Sequence, residues 1–306
     1  MSNPSFIQRN ACPCCASRSL HEIYRAPFDE NPIKEYLENF YAPQGGVEFE
    51  YLGGACYVLV ECAVCGLIFQ SEILNAELMG KLYGSWIDPD KVFRLECEES
   101  GYQRSAAHAR EIERLLALLG KAPSSLRLLD FGMGWGQWAR MAKAFGCDCY
   151  GFELCSRRIE VAQAEGIKVI TWEEIPLQQF DFVNTEQVFE HVPDPMATML
   201  HLKKSLKPGG LLKISVPSAH NMGRRLQRMD WKAPKWSRYS LNPVAPLEHI
   251  NFFRNSSLLK MAERAEMMPI KAPLQMKYHY STIRHLIRSL AKELLSPDTY
   301  LLLEKV

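Results

Sequence analysis

The sequence predicts an α/β protein in which a doubly wound parallel sheet follows a small N-terminal cysteine-rich module. Three observations support this prediction. Short apolar runs alternate with amphipathic stretches from residue 123 onward, a glycine-rich turn follows the first run, and two C-x-x-C pairs precede residue 66. Parallel strands need crossover connections, which the alternating helices would supply.

The composition is that of an ordinary globular protein. Its 306 residues, 47% hydrophobic and 23% charged, allow one large α/β unit and a smaller piece. A net charge of +1 argues against nucleic acid as a partner. No stretch approaches the roughly 20 apolar residues that cross a bilayer, and the N-terminus lacks a signal-peptide pattern. We therefore expect a cytoplasmic protein without a membrane span, and the sequence leaves the oligomeric state open.

The element pattern changes along the chain. The N-terminal stretch has β-like runs at 57–61 and 67–70 and little apolar material for a core of its own, and a helix is expected at 101–119. We then predict strands at 126–131, 147–152, 168–171, 180–184 and 211–216, and helices at 136–145, 156–165, 195–206 and 256–266. The last forty residues are expected to form a strand pair around 268–280 and a terminal helix.

These patterns predict three regions: a cysteine module at 1–85, a helical linker or lid at 86–122, and the sheet domain at 123–306. The last region contains an insertion at about 218–250, which is basic and carries Trp231 and Trp236. Guanidinium groups and a stacking indole suit a phosphorylated acceptor, so we interpret this insertion as a substrate lid. A solvated helix face is the alternative.

The run LLDFGMGWGQW at 128–138 predicts a ligand-binding turn. Glycines between a strand and a helix let the backbone approach a ligand and aim the helix N-terminus at it. The G-x-G-x-G spacing of Gly132, Gly134 and Gly136 differs from the dinucleotide fingerprint, and the Gly-Lys-Ser/Thr of a P-loop is missing. Glu153 ends the second predicted strand, where a carboxylate can accept hydrogen bonds from ribose hydroxyls.

Four segments, LDFGMGWGQWA, YGFE, FDFVNTEQVFEHVPDP and LKPGGLLKISVP, resemble the successive motifs of class I S-adenosylmethionine-dependent methyltransferases. A NAD(P)-dependent Rossmann enzyme is the alternative. The resemblance implies a Rossmann-like methyltransferase sheet with S-adenosylmethionine as cofactor. It also implies that the glycine turn after Asp130 wraps the methionine part and that Glu153 holds the ribose. Trp172 is expected near the adenine, with a core aromatic as the alternative, and Glu186 near the sulfonium end.

The two C-x-x-C pairs predict a closed structural zinc site. Each tight turn directs two sulfurs at one ion, and four thiolates complete a tetrahedron around Zn²⁺. The ligands are expected to be Cys12, Cys15, Cys62 and Cys65. Cys14 is interpreted as a bystander, and the remaining cysteines as small core residues.

This cysteine module ahead of a methyltransferase domain resembles the sugar C-methyltransferases that act on nucleotide-linked keto-sugars. In that group, tyrosines follow the module, as in LYGSW and SGYQRS here, which implies that Tyr102 reaches the cofactor carboxylate. Those enzymes carry a further C-terminal domain that we do not expect in this protein, and this difference leaves the acceptor open.

A sulfonium methyl group is already activated, so the enzyme mainly aligns the acceptor and excludes water. A base is needed only where the acceptor loses a proton. His191 and His249 are candidates because both follow predicted strand ends, and Glu248 would orient or replace His249. The first hypothesis is methylation of a small sugar-type acceptor. The alternatives are a methyltransferase acting on RNA or protein recruited by the zinc module, and a non-catalytic cofactor-binding scaffold.

Overall fold

The computed structural model describes residues 3–217, 222–235, 237–274, 283–295 and 299–306. The chain divides into two compact units, each formed by three segments. The cysteine unit comprises Met1–Cys97, Glu190–Pro195 and Pro217–Lys260. The sheet unit comprises Glu98–Phe189, Met196–Val216 and Met261–Val306. This division groups most of the predicted lid insertion with the N-terminal segment, and its role as a lid stays a prediction.

Two small antiparallel sheets form the framework of the cysteine unit. Its strands are β1 (Phe6–Gln8), β2 (Leu20–Pro27), β3 (Cys56–Cys62), β4 (Ile68–Gln70), β5 (Glu72–Leu74) and β11 (Asn251–Phe252). One sheet has the order β11-β4-β3-β2, and the other pairs β1 with β5. The helices are α1 (Ile33–Tyr41), α2 (Ala76–Lys81) and α7 (Met222–Arg228), with a π-helical turn at Leu82–Trp86.

The cysteine unit has a substantial core of its own, contrary to the expectation from its sequence. Buried apolar side chains from residues 26–87 pack with others from 222–252. Trp231 is 6% exposed, and its ring contacts the rings of Tyr24, Tyr36 and Tyr57 at centroid distances of 5.7, 5.3 and 5.4 Å. Trp231 is therefore a core residue and not an open stacking surface, while Trp236 and residues 218–221 lie outside the described residues.

A seven-stranded sheet forms the centre of the sheet unit. Its strands are β6 (Arg127–Phe131), β7 (Asp148–Phe152), β8 (Lys168–Val169), β9 (Phe180–Glu186), β10 (Leu206–Ser215), β12 (Met267–Ile270) and β13 (Tyr300–Lys305). The order is β12-β13-β10-β9-β6-β7-β8, and β6 to β10 are parallel. The other helices, given in chain order, are α3 (Pro89–Leu119), α4 (Gln137–Ala144), α5 (Ser156–Ala164), α6 (Pro195–Ser205), α8 (Asn255–Arg264) and α9 (Ile283–Leu295).

The buried strands explain why the central alternation is readable from the sequence. Leu128, Leu129 and Phe182 are at most 1% exposed, because helices cover both faces of a parallel sheet. Strand order reverses between β6 and β9, so a crevice opens where their carboxyl ends meet. Asp130 of β6 lies opposite Asn184 of β9 at that edge.

Three predicted elements differ from the structure. The helix expected from residue 101 begins at Pro89. The strand predicted at 211–216 begins at Leu206, and it shifts register between Leu206 and Leu211. The chain ends in strand β13 and not in a helix. Strand β12 pairs antiparallel with this terminal strand. Residues 275–282 of the predicted strand pair lie outside the described residues.

In the described parts of the chain, no helix is both long enough and apolar enough to cross a membrane.

Candidate cofactor site and metal centre

The glycine loop, residues 132–136, joins β6 to α4 in a conformation that requires glycine. Gly132, Gly134 and Gly136 have φ values of +72°, +53° and +70°, a region that side-chain-bearing residues avoid. A Cβ at Gly132 would lie 2.6 Å from a methyl of Val188, whereas a Cβ at Gly134 would meet no atom within 4 Å. The backbone at Gly134 therefore faces open space that a ligand can occupy.

Glu153 is fixed on this loop from the end of the neighbouring strand β7. Its Oε2 accepts a hydrogen bond from the Gly134 amide at 3.0 Å. Its Oε1 accepts from the amides of Leu154 and Cys155 at 2.8 and 3.1 Å. The side chain is 11% exposed, so the carboxylate is largely buried and held in one place.

Asp130 lies beneath the loop and is 4% exposed. Its Oδ1 accepts a hydrogen bond from Asn184 Nδ2 at 2.8 Å. Burial raises the pKa of Asp130 to about 7, although the Asn184 hydrogen bond and the charge of Lys213 favour the ionised form. Asp130, which precedes the glycines, is thus a buried carboxyl group near the carboxyl end of β6.

Lys213 of β10 links Glu186 to helix α3. Its Nζ lies 2.6 Å from Glu186 and also bonds Glu111, while Lys213 itself is 1% exposed. Burial alone would lower the pKa of Lys213, but the two carboxylates outweigh it and raise the pKa. Glu186 remains 46% exposed at the end of β9, so the ion pair positions a carboxylate that a ligand can still reach.

Three aromatic residues bear on the predicted cofactor site: Trp138 next to the loop, and Trp172 and Tyr102, which are predicted to contact the cofactor. Trp138 is 4% exposed and stacks on Phe182 at 6.0 Å, so it packs in the core. Trp172 is half-buried and stacks on His201 with ring centroids 3.8 Å apart. Tyr102 lies on α3 with 87% of its surface exposed. The roles of Trp172 and Tyr102 towards the cofactor stay predictions.

The four predicted zinc ligands converge. Cys12 and Cys65 have their sulfurs 3.5 Å apart, those of Cys15 and Cys62 are 3.4 Å apart, and all four lie within 4.8 Å of one another. Four sulfurs at about 2.3 Å from one Zn²⁺ in a tetrahedron would be roughly 3.8 Å apart. The observed spacing therefore fits the size of a tetrahedral zinc site.

Both cysteine pairs use the same turn. The Ala16 amide donates to the Cys12 carbonyl at 2.8 Å, and the Gly66 amide donates to the Cys62 carbonyl at 2.9 Å. Ala16 and Gly66 both have positive φ, at +61° and +74°. Two equivalent turns, one before β2 and one between β3 and β4, thus direct their sulfurs at a common point.

His191 and His249, the two predicted base candidates, lie together in the cysteine unit. Their ring centroids are 4.9 Å apart and their planes meet at 67°. His191 Nδ1 lies 3.0 Å from the carbonyl of Glu248 and 2.9 Å from the hydroxyl of Tyr83. His249 Nδ1 bonds the carbonyl of Asn242. The structure therefore brings the two imidazoles together with the backbone carbonyl of Glu248.

Burial sets the charge of this cluster. It lowers the pKa of His191 to about 4 and that of His249 to about 3, where the neighbouring His191 adds to the effect. Burial also raises the pKa of Glu248 to about 7, against the opposing charge of Lys235. At neutral pH both imidazoles are therefore neutral, and the carboxyl group of Glu248, whose backbone carbonyl contacts His191, is close to its titration point.

The loop that carries Glu248 and His249 is held from several sides within the cysteine unit. Gln70, which is 1% exposed, donates through Nε2 to the carbonyls of Ala245 and His249 at 3.0 and 3.1 Å. The Tyr57 hydroxyl donates to the Val244 carbonyl at 2.6 Å. Because buried strands β3 and β4 supply these donors, the histidine is held on a rigid framework.

Comparison with known proteins decides the family. A family model described as "Methyltransferase domain" matches residues 101–267, more than half of the chain. The chain belongs to this family. It is an S-adenosylmethionine-dependent methyltransferase.

Curated relatives include ubiquinone biosynthesis O-methyltransferases. The methyltransferase is 35% identical over 100 residues to that of Cereibacter sphaeroides, covering 29% of this chain and 40% of that protein. It is 25% identical over 219 residues to that of Leptothrix cholodnii, covering 67% and 86%. The match thus spans less than half of the first relative and most of the second.

Two methyltransferases are among the solved structures that match parts of the chain. The plantazolicin methyltransferase BpumL with S-adenosylhomocysteine has a TM-score of 0.49 at 15% identity, covering 75% of this chain and 94% of that chain. CalS10, an amino pentose methyltransferase from Micromonospora echinaspora, has a TM-score of 0.35 at 20% identity, covering 41% and 56%. Both structures are too distant to inform the acceptor.

The residues of the sheet unit fit the cofactor of such a methyltransferase. Gly134 leaves open space beside the loop backbone, and Glu153 places a fixed carboxylate on the same loop. Within the described residues, Asn184 Oδ1 is buried without a hydrogen-bond partner at the carboxyl end of β9. An unmatched buried acceptor at a strand edge is a place where a ligand donor is favourable.

The sequence did not point to a role for three residues of the methyltransferase. Glu190 is 1% exposed and lies with His191 and His249. Tyr83 contacts His191 from the π-helical turn, and Lys213 forms the buried ion pairs. The dipeptide Glu-His occurs at both 190–191 and 248–249, and this repeat could have drawn attention to Glu190. Nothing in the local pattern around Lys213 distinguished it from a surface lysine.

Proposed function

We propose that this methyltransferase transfers a methyl group from S-adenosylmethionine to a small, sugar-type acceptor, with nucleotide-linked sugars as the first class to test. The observation that carries the cofactor part is the contact between the Glu153 carboxylate and the open glycine loop at Gly134. The acceptor part is supported by the resemblance of the N-terminal cysteine module to that of sugar C-methyltransferases.

We assign the cofactor contacts to residues of the sheet unit. Gly132, Gly134 and Gly136 would surround the methionine part, and Glu153 would accept hydrogen bonds from the ribose hydroxyls. Glu186, which Lys213 holds at the end of β9, would face the positively charged end of the cofactor. Trp172 would lie beside the adenine, and Asp130 would support the loop from below. Tyr102 would reach the cofactor carboxylate. Bound S-adenosylmethionine supplies an activated methyl group, so alignment and exclusion of water are the main tasks of the protein.

We propose that Cys12, Cys15, Cys62 and Cys65 hold a structural Zn²⁺. The sulfur spacing and the two equivalent turns support this assignment. Four protein ligands close the coordination shell, so this ion would stabilise the cysteine unit and leave no open position for chemistry. By coordinating cysteines from both, zinc would link the turn before β2 to the turn between β3 and β4.

Activation of the acceptor is assigned to the cluster of His191, Glu248 and His249. A hydroxyl, or a carbon beside a ketone, must lose a proton before it can take up a methyl group. Two neutral imidazoles lie together here, and the loop that Gln70 holds carries both His249 and the carboxyl group of Glu248. The proposal therefore concerns acceptors with an acidic O–H or C–H group.

The test is methyl transfer from S-adenosylmethionine carrying a labelled methyl group, with separate nucleotide-sugar, free-sugar, RNA and protein fractions as acceptors. We expect label in a sugar-type fraction and a rate at least ~10-fold lower in His249→Gln, because loss of one positioned catalytic group costs that much or more. Affinity for S-adenosylhomocysteine should stay unchanged in that variant. Label confined to RNA or protein would instead support a macromolecular substrate. Cofactor binding without transfer to any fraction would support a scaffold.

A further inference from the structure

The histidine cluster contains a third metal-ligating side chain that the methyl-transfer proposal does not use. Glu190, His191 and His249 each have one ligand atom within 4.8 Å of the others. Glu190 and His191 are adjacent in a 3₁₀ turn, while His249 follows the loop after residue 244. Two imidazoles and one carboxylate on converging elements are a donor set typical of a metal site with open positions.

The hydrogen bonds of the two histidines fix which ring nitrogen carries the lone pair. A carbonyl oxygen can only accept, so Nδ1 of His191 must donate to the Glu248 carbonyl, and Nδ1 of His249 must donate to the Asn242 carbonyl. In a neutral imidazole the proton then sits on Nδ1 and the lone pair on Nε2. Metal-binding histidines show this arrangement, in which a backbone carbonyl orients the ring through the other nitrogen.

Glu190 supplies the carboxyl group of the cluster, and its side chain is 1% exposed. Ligand atoms at about 2.0–2.2 Å from one ion lie roughly 3–3.5 Å apart, so a movement of about 1–2 Å closes the cluster around an ion. The Tyr83 hydroxyl, 2.9 Å from His191 Nδ1, adds a second contact that holds the ring.

We propose that Glu190, His191 and His249 bind a divalent first-row transition-metal ion, separate from the zinc proposed at the four cysteines, with a coordination position open to an acceptor oxygen. Imidazole and carboxylate ligands suit Mn²⁺, Fe²⁺, Co²⁺ or Zn²⁺, whereas the thiolate set favours zinc. The inference rests on the proposed function of this cluster and specifies how the cluster activates an acceptor.

Such an ion would activate a hydroxyl without requiring an imidazole to accept its proton. A coordinated oxygen acid is much more acidic than the free one, so its proton passes to water and the electron pair stays on the oxygen. An imidazole that holds the ion has no lone pair left for a proton. His191 and His249 would then act by coordination, and Glu248 would lie beside the coordination shell.

The test is titration of the full-length, metal-stripped protein with cobalt(II) chloride, followed by absorption spectroscopy and by the number of ions bound. Cobalt on four thiolates gives a sulfur-to-metal charge-transfer band, and cobalt on nitrogen and oxygen gives weaker ligand-field bands alone. We expect the native chain to bind about two ions, one of each kind. Both His249→Gln and Glu190→Gln should lose one ion, the one without the sulfur band. His21→Gln, which removes an exposed histidine on β2, should keep both.

Retention of the sulfur band and of the circular dichroism spectrum shows that a variant still folds. The inference is overturned if the native chain binds cobalt only at the thiolates, or if the double variant Glu190→Gln/His249→Gln keeps the second ion. Binding of S-adenosylhomocysteine, measured on the same samples, distinguishes the two proposals. Its absence contradicts the methyl-transfer proposal, whereas the cobalt spectra report on the metal site alone.

Discussion

Replacing Asp130 with asparagine should change how the stability of the protein depends on pH. Asp130 is 4% exposed, accepts a hydrogen bond from Asn184 at 2.8 Å, and has its pKa raised to about 7 by burial. The unfolded chain returns this carboxyl to an ordinary pKa of 3.8. Between these two values the folded state binds more protons than the unfolded state.

The sign of the effect follows from that difference. A raised folded-state pKa contributes stability that is fully present below the unfolded value and is lost as pH rises through the folded value. With pKa values of 3.8 and about 7, the contribution of Asp130 falls by about 3 kcal/mol between pH 5 and pH 8. The asparagine variant has no such titration, so its stability relative to the native chain should rise by the same amount over this range.

Urea unfolding of both proteins at several pH values between 5 and 8 measures this difference, provided that the m-values agree. The free energy of unfolding of Asp130→Asn minus that of the native chain should increase steadily up to about pH 7 and then level off. A difference that stays constant within about 1 kcal/mol across this range would refute the conclusion that the folded protein protonates Asp130.

Three further predictions concern the loop, the buried lysine and the cysteine cluster. Gly132→Ala should lower the free energy of unfolding by more than Gly134→Ala, because both positions have positive φ but only the first places a Cβ 2.6 Å from Val188. Lys213→Met should cost about 1.5–3 kcal/mol in urea unfolding, since it removes the buried cation that pairs with the part-buried Glu111 and the half-exposed Glu186, whereas Lys168→Met, which removes an exposed pair with Asp148, should cost less than about 1 kcal/mol. Elemental analysis should find zinc in the native chain, and its removal by a chelator should lower the melting temperature; a folded Cys62→Ser variant with unchanged zinc content would contradict the assignment.

The central fold and the conformation of the glycine loop could be predicted from the sequence because their signals are local. Buried parallel strands give continuous apolar runs, and positive φ at closely spaced positions requires glycine. Glu153 follows directly after β7, and its carboxylate accepts a hydrogen bond from the glycine loop. The convergence of the four cysteines also followed from spacing, because each C-x-x-C pair forms its own turn.

The parts that the sequence did not predict depend on contacts between distant segments. Trp231 lies in a basic stretch, and only its packing against Tyr24, Tyr36 and Tyr57 shows that it belongs to the core. In the sequence, strand β13 is only an apolar run near the end of the chain. Its antiparallel pairing with β10 and β12 depends on contacts with segments that are distant in sequence. Lys213 is recognisable as a buried charge only once Glu111 and Glu186 lie beside it.

The most direct measurement of the central claim is calorimetric titration with S-adenosylhomocysteine of three proteins: the native chain, Glu153→Gln and Glu165→Gln. Glu153 bonds the glycine loop, while Glu165 is an exposed carboxylate paired with Arg140 in the same unit. We predict equal affinity for the native chain and Glu165→Gln, and roughly 10–100-fold weaker binding for Glu153→Gln, because hydrogen bonds to a charged acceptor contribute about 1.5–3 kcal/mol. No binding to the native chain, or undiminished binding to a folded Glu153→Gln, would contradict the account.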